Sequence, residues 1–158
     1  TEAHIFSANL LMPRDIFIER SKSLPYGMEG IITLSEIFQT SILSTAYQYI
    51  NCDILPSLLI KLNNDNLLIT DRTALSPSFR NLRKEKVVVQ YNEDRPKADT
   101  ELIENIGVSN SQFYQSITNL SSWAANILSS SNRDLVVVEQ VMPIGSFGSI
   151  AFIFPTVF

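Results

Sequence analysis

The spacing of apolar residues changes character at Pro56, and this change constrains the fold more than any other feature of the chain. Before Pro56 the apolar positions recur at helical spacing. Ala3, Phe6 and Leu10 share one face with Ile5, Ala8 and Met12 beside it, so the first helix is expected to be buried on most of its circumference. Ile42, Ala46, Tyr49 and Ile50 form a second apolar face. After Pro56 the period shortens to two: Leu58, Ile60 and Leu62 alternate, residues 63–66 (Asn-Asn-Asp-Asn) supply turn chemistry, and residues 67–70 return as a hairpin. Residues 86–91 form a further strand candidate rich in β-branched side chains. Residues 135–142 and 149–154, joined by a turn through Pro143, Gly145 and Gly148, predict a second hairpin. Helices followed by strands predict an α+β fold whose helices are segregated from a mainly antiparallel sheet. Residues 99–106 read as a short helix, and residues 112–120 fit helix or strand equally.

Punctuation along the chain refines the helical part. Pro13 disfavours helical geometry at Met12 and suits the first turn of a new helix, so a bend there and a helix through about Ser21 are expected. Leu24-Pro25-Tyr26-Gly27 is a connector. Thr33 with Glu36 predicts a capping box and thus a helix start, and Ser41 predicts the start of a second helix after a turn at Gln39-Thr40. Two short helices with so tight a join outline a helix-turn-helix. The boundary between the helical part and the sheet is expected near residues 51–56.

Composition excludes several classes. With 45% hydrophobic and 18% charged residues the chain is of globular, not disordered, composition. No apolar run approaches the roughly 20 residues of a membrane span, and the opening residues lack the pattern of a secretory signal. The single cysteine, Cys52, excludes an internal disulfide and fits a reducing, cytoplasmic compartment. A net charge of −4, and no lysine or arginine between Lys22 and Lys61, disfavour DNA binding by the helix pair, because phosphate contacts dominate DNA affinity. Arg80, Arg83, Lys84 and Lys86 form a basic cluster interrupted by Glu85, which reads as a solvated face. The turn at residues 145–148 lacks the lysine and spacing of a phosphate loop. Trp123, the sole tryptophan, follows Ser121-Ser122, a candidate helix cap; it is a core residue or the wall of a ligand pocket. With His4 the sole histidine, an activated serine nucleophile has no supported base.

The run Glu2-Ala3-His4-Ile5-Phe6-Ser7-Ala8-Asn9-Leu10-Leu11-Met12-Pro13 resembles the E-A-x-x-F-A-x-x-L-L-M-P signature of the ImmA/IrrE family of zinc-dependent metallopeptidases. A second, looser similarity lies at Leu34, Phe38, Ser41, Ser44 and Ala46, where many members carry a helix-turn-helix-like segment. In that family an H-E-x-x-H helix supplies two zinc ligands and the general base, and the later signature helix supplies a glutamate as third ligand. The resemblance implies that Glu2 is this metal ligand, that zinc belongs to the intact protein, and that the substrate is a regulatory protein such as a transcriptional repressor of a bacterial cell. One histidine cannot make H-E-x-x-H, so this chain holds no catalytic residue and is expected to be metal-free and inactive alone. His4 lies two positions from Glu2, on a different side of a helix, and is a structural residue.

Three segments are therefore expected: a remnant of metallopeptidase-like helices at 1–22, a helix-turn-helix-like unit at 23–55, and at 56–158 an α+β domain resembling GAF- or PAS-like sensors. A small-molecule signal and a homodimer through residues 3–12 are the partners such an arrangement suggests; the alternatives are a non-catalytic sensing or interaction module and a DNA-binding regulator.

Overall fold

The computed structural model describes residues 9–62, 69–82, 112–123 and 135–156. Residues 9–11 are helical, and after them come α1 Arg14–Ser21, α2 Met28–Phe38, α3 Ile42–Asn51 and α4 Pro77–Leu82. The strands are β1 Leu58–Leu62, β2 Ile69–Leu75, β3 Tyr114–Asn119, β4 Val136–Pro143 and β5 Ser149–Pro155. They form one antiparallel sheet in the order β2-β1-β5-β4-β3, which makes the protein α+β.

Both predicted hairpins are present. β1 pairs with β2, which runs on to Leu75, beyond the expected return segment, and β4 pairs with β5 across a 3-10 turn at Gly145–Phe147. The ambiguous stretch 112–120 is strand β3 followed by a 3-10 turn, Leu120–Ser122, so Ser121 and Ser122 sit in a turn. The strand at 86–91, the helix at 99–106 and the cluster residues Arg83, Lys84 and Lys86 lie outside the described residues.

The chain bends at Pro13 as expected, and α1 runs to Ser21. Ser41 caps α3, its hydroxyl accepting from the Ser44 amide at 3.1 Å. The expected helix start at Thr33 is wrong. α2 begins five residues earlier, at Met28, and Thr33 sits inside it with its hydroxyl donating to the Glu29 carbonyl. The physical reason is remote in sequence: the Met28 amide, left without a partner at the helix start, donates to Gln140 Oε1 on β4 at 2.7 Å. Gln39 ends α2 in the left-handed region at φ 52°, and Thr40 N–H closes back to the Ser35 carbonyl.

Successive strand residues face opposite sides of a sheet. On one side Leu59, Ile150, Phe152 and Met142 join Met12, Phe17, Met28, Ile31, Leu34, Ala46, Tyr49 and Ile50 of the helical part in a single core. On the other side Leu58, Ile60, Leu62, Val137, Val141, Ala151 and Ile153 pack with Phe79 of α4, Leu120 and Trp123. Asp53, held at φ 57°, ties the end of the helical part to α4: its carboxylate accepts from the Ser78 amide and hydroxyl, while Ser76 Oγ accepts from the Phe79 amide.

Of the expected first helix only residues 9–12 are among the described residues, and they are buried in part. Met12 is inside, but Leu10 is 71% and Leu11 60% exposed. Met12 reaches the core because the chain turns at Pro13 and Gln48 Nε2 donates to the Met12 carbonyl at 2.9 Å; the same Nε2 lies 3.5 Å from Asn9 Oδ1.

Candidate functional site

The chemistry among the described residues concentrates on the β3–β4 pair. Ser116 lies directly opposite Glu139, and Gln115 opposite Gln140. Because side chains alternate, each opposed pair serves one face of the sheet.

Glu139 lies on the α4 side, 4% exposed, on a face otherwise built from aliphatic and aromatic side chains. Its Oε2 accepts from Trp123 Nε1 at 2.7 Å, and its Oε1 accepts from the Ser116 hydroxyl at 2.6 Å. Burying a carboxylate in such surroundings costs several kcal/mol unless charge-assisted hydrogen bonds offset it, so these partners hold the side chain in one place. The 3-10 turn that ends β3 positions the indole, and Thr118 and Ser122 hydroxyls 3.1 Å apart tie that turn to the strand. A carboxylate, a hydroxyl and an indole thus form one buried polar cluster in an otherwise apolar wall.

On the helix side Gln140 is also buried, at 4% exposure. Its Nε2 donates to Gln115 Oε1 at 2.7 Å while its Oε1 accepts the Met28 amide. Beside it the Tyr49 hydroxyl accepts from the Gly27 amide at a long 3.4 Å. Burial pushes the Tyr49 phenol up to about 12; the Gly27 hydrogen bond opposes this and Tyr26 adds to it. The native phenol thus keeps a proton that the unfolded chain releases near its ordinary value of 10.0. Stability should be intact below pH 10 and fall between about pH 10 and 12, by roughly 2–3 kcal/mol at most. Absorbance titration should show a late step from Tyr49, and Tyr49→Phe should remove both that step and the alkaline loss.

At the C-terminal end of α3, Arg14 Nη1 donates to the Asn51 carbonyl at 2.8 Å, placing a cation at a helix C-terminus. The neighbouring Cys52 is buried, and that burial raises its thiol against the lowering effect of Arg14. It is therefore a packing residue and not a reactive thiolate.

Of the residues singled out from sequence, Glu2 and His4 lie outside the described residues, so the zinc ligand assignment has no geometry attached to it. Among the described residues no group of three or more His, Cys, Asp or Glu side chains could hold a metal, and zinc chemistry is assigned to none of them. Trp123 is buried in the core on the α4 side, as its core reading has it, and its indole N–H donates to Glu139. Glu139 and Ser116 were missed by sequence reasoning; the available signal was a single acid inside the β-branched run of residues 135–142, a position where charge is unexpected. In the helix pair, Gln48 and Tyr49 of α3 point into the core, and no lysine or arginine stands on either helix.

Among the described residues no helix is long and apolar enough to cross a membrane. No family model, curated protein or solved structure matches the chain.

Proposed function

We propose that this chain is the sensory and scaffolding portion of an ImmA/IrrE-like zinc metallopeptidase, inactive by itself, whose sheet receives a small-molecule signal and whose helical part joins the sheet to the peptidase helices. The observation that carries the sensory reading is the buried Glu139 carboxylate held by Trp123 and Ser116 on an apolar sheet face. An antiparallel sheet flanked by helices is also the outline of GAF- or PAS-like sensors, which supports the finer fold assignment by analogy only. The ligand suited to this face carries an N–H or ammonium donor for Glu139 and a flat or apolar body for Trp123.

Thermal denaturation against small amines, nucleobases and amino acids tests this. A ligand present at 100 times its Kd should stabilise the protein by about 2.7 kcal/mol, and Glu139→Gln should remove most of that effect. If no compound in the panel raises the melting temperature, the sensory reading fails. The peptidase part rests on the resemblance of residues 2–13, with Glu2 as third zinc ligand. An encoded protein without an H-E-x-x-H upstream would sink it.

A second reading, a protein-interaction module, is favoured by the exposure of Leu10 and Leu11, which a partner or a second copy would cover. A monomer in sedimentation at all concentrations removes the homodimer. DNA binding has less support, because the helix pair lacks cations and turns Gln48 and Tyr49 inward. A cytoplasmic location belongs to the same proposal, supported by the free, buried Cys52.

A further inference from the structure

Glu139 and Gln140 are consecutive residues of β4 whose side chains leave opposite faces of the sheet, and their partners Ser116 and Gln115 are consecutive on β3. One strand pair thus carries two polar clusters back to back. On one face Glu139 is fastened to Trp123 and Ser116. On the other Gln140 is fastened to Gln115 and holds the first amide of α2. The approach of Gln140 to that amide is close enough that a Cβ on Gly27 would lie 2.4 Å from Gln140 Oε1.

We propose that the β3–β4 pair is a transmission element: breaking the Trp123–Glu139 hydrogen bond shifts β4 against β3 and loosens the Gln140 cap on Met28. The coupling has a short path: Glu139–Ser116 and Gln140–Gln115 occupy adjacent registers of the β3–β4 pair, Trp123 follows the turn that ends β3, and Met28 meets Gln140 directly. Met28 N–H has a specific requirement, because a buried amide at a helix start without its acceptor opens more readily. A donor-bearing ligand that takes the carboxylate from the indole would release α2 from the sheet, and by reciprocity anything that holds α2 down would favour the Trp123–Glu139 bond. The ligand arm of this statement rests on the sensory reading above; the coupling itself does not.

Amide hydrogen exchange on the full chain tests it without any ligand. Trp123→Phe keeps an aromatic ring and removes the N–H donor. It should lower protection of the Met28 and Glu29 amides by about tenfold, within the range usual for coupled sites, and leave the Tyr49 and Ile50 amides of α3 unchanged. In a Gln140→Ala background, where the cap is already gone, Trp123→Phe should have no further effect on Met28. Unchanged Met28 protection in Trp123→Phe, or effects that simply add, would overturn the coupling. If Trp123→Phe lowers protection throughout the protein, Ser116→Ala, which removes only a hydroxyl from the same carboxylate, is judged on the same criterion. A failed ligand screen leaves the coupling standing, and additive exchange leaves the ligand face standing, so the two proposals fail separately.

Discussion

Phe152→Ala is expected to destabilise the protein by about 3–5 kcal/mol, the usual cost of truncating a fully buried phenylalanine. Phe152 has no exposed surface and lies at the middle of β5, the central strand of the sheet. It stands opposite Leu59 on β1 and Gln140 on β4. Its ring meets Tyr49 of α3 edge-on, centroids 5.7 Å apart at 83°, and Phe154 at 5.7 Å and 47°. The substitution therefore leaves a cavity where helices and sheet share one core, and it also removes aromatic pairs worth about 0.5–1.5 kcal/mol each beyond their area. A domain of this size has about 5–15 kcal/mol in all, so the loss is a large fraction of the total. Urea denaturation followed by circular dichroism reports mostly on the helices, and fluorescence of the single tryptophan, Trp123, reports on the opposite sheet face. Both transitions should move to lower urea together. A Trp123 transition that stays in place while the helical signal melts early would contradict a core shared across the sheet. As a control, Ile117→Ala on the exposed side of β3, where the side chain is 69% exposed, should change stability by no more than about 0.5 kcal/mol.

The parts of this architecture that were legible in the sequence are those fixed by near neighbours. The strand at residues 58–62, the hairpin return at 149–154, the turn between β4 and β5, the bend at Pro13 and the Ser41 cap are each decided within a few residues, and each is where the pattern put it. The start of α2 was not legible, because the acceptor for its first amide comes from residue 140, 112 positions away. A capping box at Thr33–Glu36 satisfied a local rule, yet the helix had already begun under a tertiary contact. The candidate site was half legible for the same reason. A lone tryptophan announces itself, whereas Glu139 becomes special only once β3 and β4 pair and bring Ser116 and Trp123 to its two oxygens. Leu10 and Leu11 show the reverse case: an apolar pattern is a statement about burial somewhere, and the described neighbours do not provide it.

Gly27→Ala should be nearly as damaging, about 2–5 kcal/mol, for two reasons that can be measured apart. Gly27 has φ 84° and ψ −147°, a region open essentially to glycine alone, so any side chain incurs about 1–3 kcal/mol of backbone strain. The added methyl also lands 2.4 Å from Gln140 Oε1 and 3.1 Å from Phe154 Cε1. A glutamine tip is ordinarily able to swing aside. Here it is held by the Met28 amide and by Gln115, so moving it uncaps α2 and breaks a buried side-chain hydrogen bond. In a Gln140→Ala background the clash with the glutamine and the loss of its bonds are both already absent, and only strain and the Phe154 contact remain. The cost of Gly27→Ala should therefore fall by about 1–2 kcal/mol in that background, a coupling typical of residues in contact. Equal costs in the two backgrounds would mean that Gln140 yields without penalty, and the cap on α2 would then contribute little to holding helix and sheet together.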